Sequence, residues 1–163
     1  MLELPNYASK TFLLIDDETF MLSLVERILK QCEAGRVLRA SNGAAALALF
    51  NGSIGQVDCV IADLNMKPMN GLEFLKAVRT GVGKRIPRGQ RVVMLTGHGD
   101  MDAVRAAGEL DVSGYILKPV SAEKLVSTIE RAISRPPVLK AADDYRAVVL
   151  PEVGSMSSDT KDP

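Results

Sequence analysis

The chain has 163 residues, 47% apolar and 25% charged, with twenty Lys and Arg balancing twenty Asp and Glu. That suits one folded domain with a real core and no global field for nucleic acid or an anionic membrane, so neither is expected as a partner. No apolar run approaches the ~20 residues that span a bilayer, Met1 to Lys10 lacks the order of a signal peptide, and Cys32 and Cys59 have neither metal-motif spacing nor disulfide density. The cytoplasm is the expected compartment.

Short apolar runs alternate with helix-period segments from Thr11 to Arg135. Phe12-Leu13-Leu14-Ile15 reads as a buried strand that ends in Asp16-Asp17. From Glu18 to Cys32, Phe20, Met21, Leu24, Val25, Ile28 and Leu29 recur at three- and four-residue steps, the pattern of an amphipathic helix. Arg36 to Ala40 is predicted as a second strand, and Asn42 to Phe50 as a helix capped by Ser41 or Asn42.

Val57 to Ala62, with Cys59 as a buried thiol, is a third strand ending at Asp63. A helix over Leu72 to Val82 follows, punctuated by Gly81 and Gly83. Arg91 to Leu95 is a fourth strand ending at Thr96-Gly97, Asp100 to Leu110 a short helix, and Gly114 to Leu117 a fifth strand ending at Lys118-Pro119. Ser121 caps a last helix to about Ser134, where Pro136-Pro137 stops it. Residues 136–163 form an extension too short for a second domain: its end from Ser155 reads as disordered, and Tyr145 to Leu150 either packs on the domain or serves as an arm in a homodimer or partner complex.

Five strands alternating with helices predict an α/β domain with a parallel sheet, helices on both faces and right-handed crossovers. With strand order 2-1-3-4-5, strands one, three, four and five are contiguous, and ligands bind beyond their carboxyl ends. Those ends carry Asp16 and Asp17, Asp63, Thr96 and Lys118. Three carboxylates repel one another unless a cation is present, and Mg²⁺ suits a few carboxylates plus phosphate oxygens. A Lys ammonium suits a phosphoryl oxygen, and a Thr hydroxyl adds a hydrogen bond. An ionised Asp is itself a nucleophile for phosphoryl transfer and needs no general base, so the lack of a catalytic His is no obstacle.

At this point the chain resembles the response-regulator receiver domains of two-component signalling, of the single-domain chemotaxis-regulator type. The resemblance covers residues 11 to about 135, and residues 1–135 are taken as the domain. It rests on Asp16-Asp17, on Asp63-Leu64-Asn65-Met66-Lys67-Pro68-Met69-Asn70-Gly71, on Thr96-Gly97 and on Tyr115-Ile116-Leu117-Lys118-Pro119. It implies a flavodoxin-like fold and a stand-alone regulator phosphorylated on Asp63 by a histidine kinase or a phosphotransfer protein. Mg²⁺ would be held by Asp16, Asp17, Asp63 and the backbone carbonyl of Asn65. Lys118 would pair with the phosphoryl group ahead of a cis Lys118–Pro119 bond, Thr96 would move toward that group, and Tyr115 would follow by rotating inward. Signalling would run through protein contacts, with slow loss of the phosphate and no catalysis on other substrates.

Two positions depart from the usual receiver pattern. Lys67 stands where Pro is usual and Pro68 comes one later, while Gly71 keeps its offset. A differently shaped loop with an extra cation near the site is expected. Gly97 replaces the more usual Ala and is expected to open the phosphoryl group to water, shortening its lifetime. Other readings are a phosphorylation-independent scaffold and a haloacid-dehalogenase-like phosphatase; the latter needs a second Asp where Asn65 stands. His98 reads as an exposed loop residue, and Lys84, Arg85, Arg88 and Arg91 as a solvated basic loop, with an acidic partner surface second.

Overall fold

A computed structural model describes residues 3–83, 85–97 and 101–153. Five strands form one parallel sheet in the order β2-β1-β3-β4-β5: β1 (Thr11–Ile15), β2 (Arg36–Ala40), β3 (Cys59–Asp63), β4 (Val92–Thr96) and β5 (Gly114–Leu117). The central strands β1, β3 and β4 are mostly apolar runs (Phe12 to Ile15, Cys59 to Ala62, Val92 to Leu95) buried on both faces, whereas β2 and β5 at the edges are partly exposed.

Because strand side chains alternate, each central strand feeds two cores. Leu13, Val60, Ala62, Val92 and Met94 face one layer, with α2 (Gly43–Asn51), α3 (Gly71–Thr80) and α4 (Met101–Glu109). Phe12, Leu14, Ile61, Val93 and Leu95 face the other, with α1 (Thr19–Gln31) and α5 (Ala122–Ser134). Each fully buried Leu, Ile or Phe contributes roughly 1.5–3 kcal/mol, so the doubly covered strands are the rigid platform for whatever lies at their ends.

Local chemistry fixes the helix starts. The Asn42 side chain, one of the two predicted caps, accepts from Ala45 N at 2.9 Å. Asn70 and Glu73 form a reciprocal capping box at the start of α3, and Gly81 closes that helix in the left-handed conformation at φ 77°. Predicted boundaries are off by a residue or two: Asp63 and Thr96 are the last residues of their strands rather than the first beyond them, and α3 starts at Gly71. Both Lys118–Pro119, as expected, and Lys67–Pro68 are cis.

Beyond α5 the chain does not leave the domain. It forms a short helix, α6 (Ala142–Arg146), whose Tyr145 is fully buried, and Val148 joins the core under α3. The region expected to be disordered from Ser155 lies outside the described residues, as do Lys84 and His98.

Candidate functional site

The strand register brings the predicted site residues together. Ile15 pairs with Ala62, Asp63 with Leu95, and Thr96 with Leu117, so Asp16, Asp63, Thr96 and Lys118 end neighbouring strands in one row. Backbone bonds extend the ladder past the strands: Asp16 N donates to Ala40 O at 3.1 Å, Leu64 N to Leu95 O at 2.8 Å and Lys118 N to Thr96 O at 2.7 Å. These side chains are therefore held by the sheet itself.

Asp16 is 3% exposed and Asp63 4%, while Asp17 stands exposed at the rim. One carboxylate oxygen from each of the three lies within 4.8 Å of the others. The Lys118 ammonium reaches in from the next strand end and donates to Asp63 Oδ1 at 3.1 Å. Thr96 is buried at the end of β4, and Tyr115 is half-buried against the core on the α3–α4 side. Asn65 lies exposed two residues beyond Asp63, and Lys67 is exposed on the same loop.

α3 is pressed against this site. Gly71 N donates to Leu64 O at 3.1 Å, and a side chain at Gly71 would put its Cβ 2.5 Å from the Asp63 carbonyl oxygen. Only glycine permits that approach, which accounts for Gly71 in the motif. At Gly97, by contrast, an added Cβ would meet nothing within 4 Å among the described residues.

Electrostatics follow from burial. Burial is the main cause that pushes the Asp16 carboxyl up to about 6, and the Asp63 charge adds to it. Burial also raises Asp63, opposed by the Lys118 charge and its hydrogen bond. For Lys118 burial is the largest influence and acts downward, but the Asp63 carboxylate together with Asp16 and Glu18 makes the net shift upward, keeping the ammonium protonated. Asp16 Oδ1 accepts from Glu18 N at 2.9 Å, whereas the buried Asp16 Oδ2 has no hydrogen-bond partner.

A buried oxygen without a partner beside two more carboxylates and a single ammonium is the donor set of a hard divalent cation. Asp16, Asp17 and Asp63 thus fit a metal. Glu18 was read from the sequence only as the start of the first helix. Its backbone N–H pins Asp16, and its charge raises both Asp16 and Asp63. The run Asp16-Asp17-Glu18 was the available signal for it.

The basic loop before β4 corrects an expectation. Arg88 donates to Arg79 O at 2.7 Å and to Lys140 O at 2.7 Å, and Arg91 donates to Ala132 O at 3.1 Å near the end of α5. Arg88 and Arg91 thus satisfy carbonyls at helix and loop ends rather than standing free in solvent, while Arg85 is exposed as expected. They lie at the opposite end of the sheet, where a groove of about 550 Å³ lined by Arg85 and Arg91 opens away from the carboxylates.

Comparison with known proteins points the same way. Residues 12–130 match the profile of a family described as the response regulator receiver domain. The chemotaxis protein CheY of Pseudomonas aeruginosa is 30% identical over 124 residues, which are 76% of this chain and 95% of that protein. CheY-3 of Vibrio cholerae is 29% identical over 124 residues, covering 76% and 91%. Among solved structures, a response regulator receiver domain protein from Clostridium thermocellum superposes with a TM-score of 0.63 at 34% identity, over 77% of this chain and 94% of that one. CheY4 of Vibrio cholerae does so at 0.63 and 28% identity, over 76% and 98%.

Proposed function

The chain belongs to the response-regulator receiver family, and from that premise we propose that it is a CheY-like signalling protein that accepts a phosphoryl group on Asp63. The observation that carries the proposal is the Asp63 carboxylate, buried at a strand end, 3.1 Å from the Lys118 ammonium and beside the unpartnered oxygen of Asp16. Asp16, Asp17, Asp63 and the Asn65 backbone carbonyl would hold Mg²⁺, which would supply positive charge against the phosphoryl oxygens.

With Asp63 ionised and held by Lys118, one carboxylate oxygen would attack phosphorus without a general base. In transfer from a phosphohistidine the P–N bond breaks, the imidazole leaves with the electron pair, and an aspartyl phosphate forms. Lys118, relieved of the free carboxylate, would pair with a phosphoryl oxygen, and the Thr96 hydroxyl at the neighbouring strand end would donate to another. Water attack on phosphorus later restores the carboxylate and releases inorganic phosphate. The donor would be a sensor histidine kinase or a histidine phosphotransfer protein, and the output a contact with a target protein rather than turnover of an external substrate.

Peptide mapping tests the assignment. After incubation with a phosphohistidine donor or acetyl phosphate, borohydride reduces an acyl phosphate to the alcohol. The reduced residue is expected at position 63 alone; reduction elsewhere, or none, would refute the assignment.

A further inference from the structure

Among the described residues, α4 turns only a small apolar face toward the core. Its buried face is Ala103, Ala106 and Ala107, where α5 presents Leu125, Val126 and Ile129. Gly108 adds an open position near its end. Few apolar contacts per turn mark an element with low local stability. α4 begins five residues after Thr96, which ties its start closely in sequence to the strand end at the site.

The C-terminal segment holds α4 from outside. At the end of the sheet away from the carboxylates, Lys140 Nζ donates to Glu109 O at 3.0 Å and lies 3.7 Å from Asp111 Oδ2. The Tyr145 hydroxyl donates to Asp111 Oδ2 at 2.7 Å and accepts from Lys140 N at 3.0 Å. The Arg88 guanidinium and the Lys140 ammonium sit 5.7 and 5.6 Å from the Tyr145 ring centroid. From this anchor the segment lies on α3: Lys76 of α3 donates to Val148 O at 2.7 Å, and Leu150 packs on the core. A groove of about 420 Å³ runs between α4, from Asp102 to Glu109, and Ala147 to Pro151, so among the described residues the segment meets α4 only at its last residue, and Val149 is 85% exposed.

We infer that residues 136–153 are a strap that clamps α4 against α3 and opposes its displacement when Asp63 carries a phosphoryl group, so that phosphorylation loosens the strap. This rests on the function proposed above. The strap fits α4 only where it now stands, because Lys140 and Tyr145 bind the residues that end α4 and follow it. Linkage makes the coupling reciprocal: what loosens the strap must favour the phosphoryl-bound state by the same factor.

The test uses the full chain. Amide hydrogen exchange over residues 142–150 is compared with Mg²⁺ alone and with Mg²⁺ plus beryllofluoride, a stable phosphoryl mimic, beside Asp63→Asn as control. Faster exchange is expected in the wild-type protein on adduct formation and not in the control. Tyr145→Phe and Leu150→Ala, checked for folding by circular dichroism, should bind beryllofluoride at least about 5-fold more tightly. If the adduct forms but strap exchange is unchanged, or affinity is unchanged in whichever variants fold, the strap inference is overturned and the proposed function stands. If no adduct forms at all, both fall.

Discussion

At the residue scale, the informative atom is Asp16 Oδ2, buried with no hydrogen-bond partner. The carboxyl is pushed up to about 6, chiefly by burial, so folding without metal favours its neutral form more than the unfolded chain does. The sign is fixed by linkage: that contribution to stability is fully present below the ordinary carboxylate range and is lost as pH rises through about 6. Asp16→Asn, neutral throughout, should therefore be more stable than the wild type by about 1–3 kcal/mol at pH 7.5 without divalent metal, and the advantage should vanish near pH 4. Thermal unfolding in EDTA at both pH values measures it. The same variant should gain less stability from added Mg²⁺; equal gains would remove Asp16 from the metal site.

Gly97 is the other residue with a definite expectation. An Ala side chain fits there without a clash among the described residues, so Gly97→Ala should fold normally. If the missing methyl leaves the phosphoryl group open to water, Gly97→Ala should lengthen the phosphoprotein lifetime by ~3-fold or more, at least ~0.6 kcal/mol in barrier. Phosphate release after donor removal reports it, and an unchanged or shorter lifetime would reject the role.

At the scale of elements, α3 is aligned on the site by its own first turn. Asn70 Oδ1 accepts from Glu73 N at 2.8 Å, Glu73 Oε1 accepts from Asn70 N at 3.1 Å, and the next residue, Gly71, abuts Asp63. Asn70→Ala should cost about 1 kcal/mol, seen as a lower urea midpoint with an unchanged slope. A changed slope would mean that more than a cap had been lost.

This scale also shows what the sequence could tell. The strands were legible because Leu14, Ile61 and Val93 sit in continuous apolar runs, which parallel strands covered on both faces require. The grouping of Asp16, Asp63, Thr96 and Lys118 was legible because such strands all end on one edge. Arg79 was not. In the last turn of α3 it should face water, yet it is fully buried and donates to the carbonyls of Leu110, Arg88, Gln90 and Asp111. Those acceptors come from two distant loops, so no local pattern announces them. Burial lowers its pKa to about 10, which still leaves it charged. Tyr145 was half legible: the segment Tyr145 to Leu150 was read as packing on the domain or serving as an arm, and the ring packs on the domain, in a pocket whose partners, Asp111 and Arg88, come from distant loops.

At the scale of the whole molecule, the two cores leave both thiols inaccessible. Cys59 is 0% exposed and pushed up to about 12 by burial, and Cys32 is 1% exposed and also raised by burial. Neither thiolate is available at neutral pH. A thiol reagent should label neither cysteine in the native protein, and labelling in mild denaturant should track global opening. Rapid native labelling of Cys59 would contradict the packing of β3 between two layers.

The central claim is that the buried carboxylate of Asp63, flanked by Lys118 and a metal-fitting acidic pair, is a phosphoryl acceptor. Intact mass after incubation with acetyl phosphate tests it most directly, run on the wild type and Asp63→Asn, each with Mg²⁺ and with EDTA. The expected result is a single base-labile phosphoryl adduct on the wild type with Mg²⁺ and none in the other three samples. A folded wild-type protein that gains no mass with Mg²⁺, or an adduct that survives Asp63→Asn, would contradict the claim.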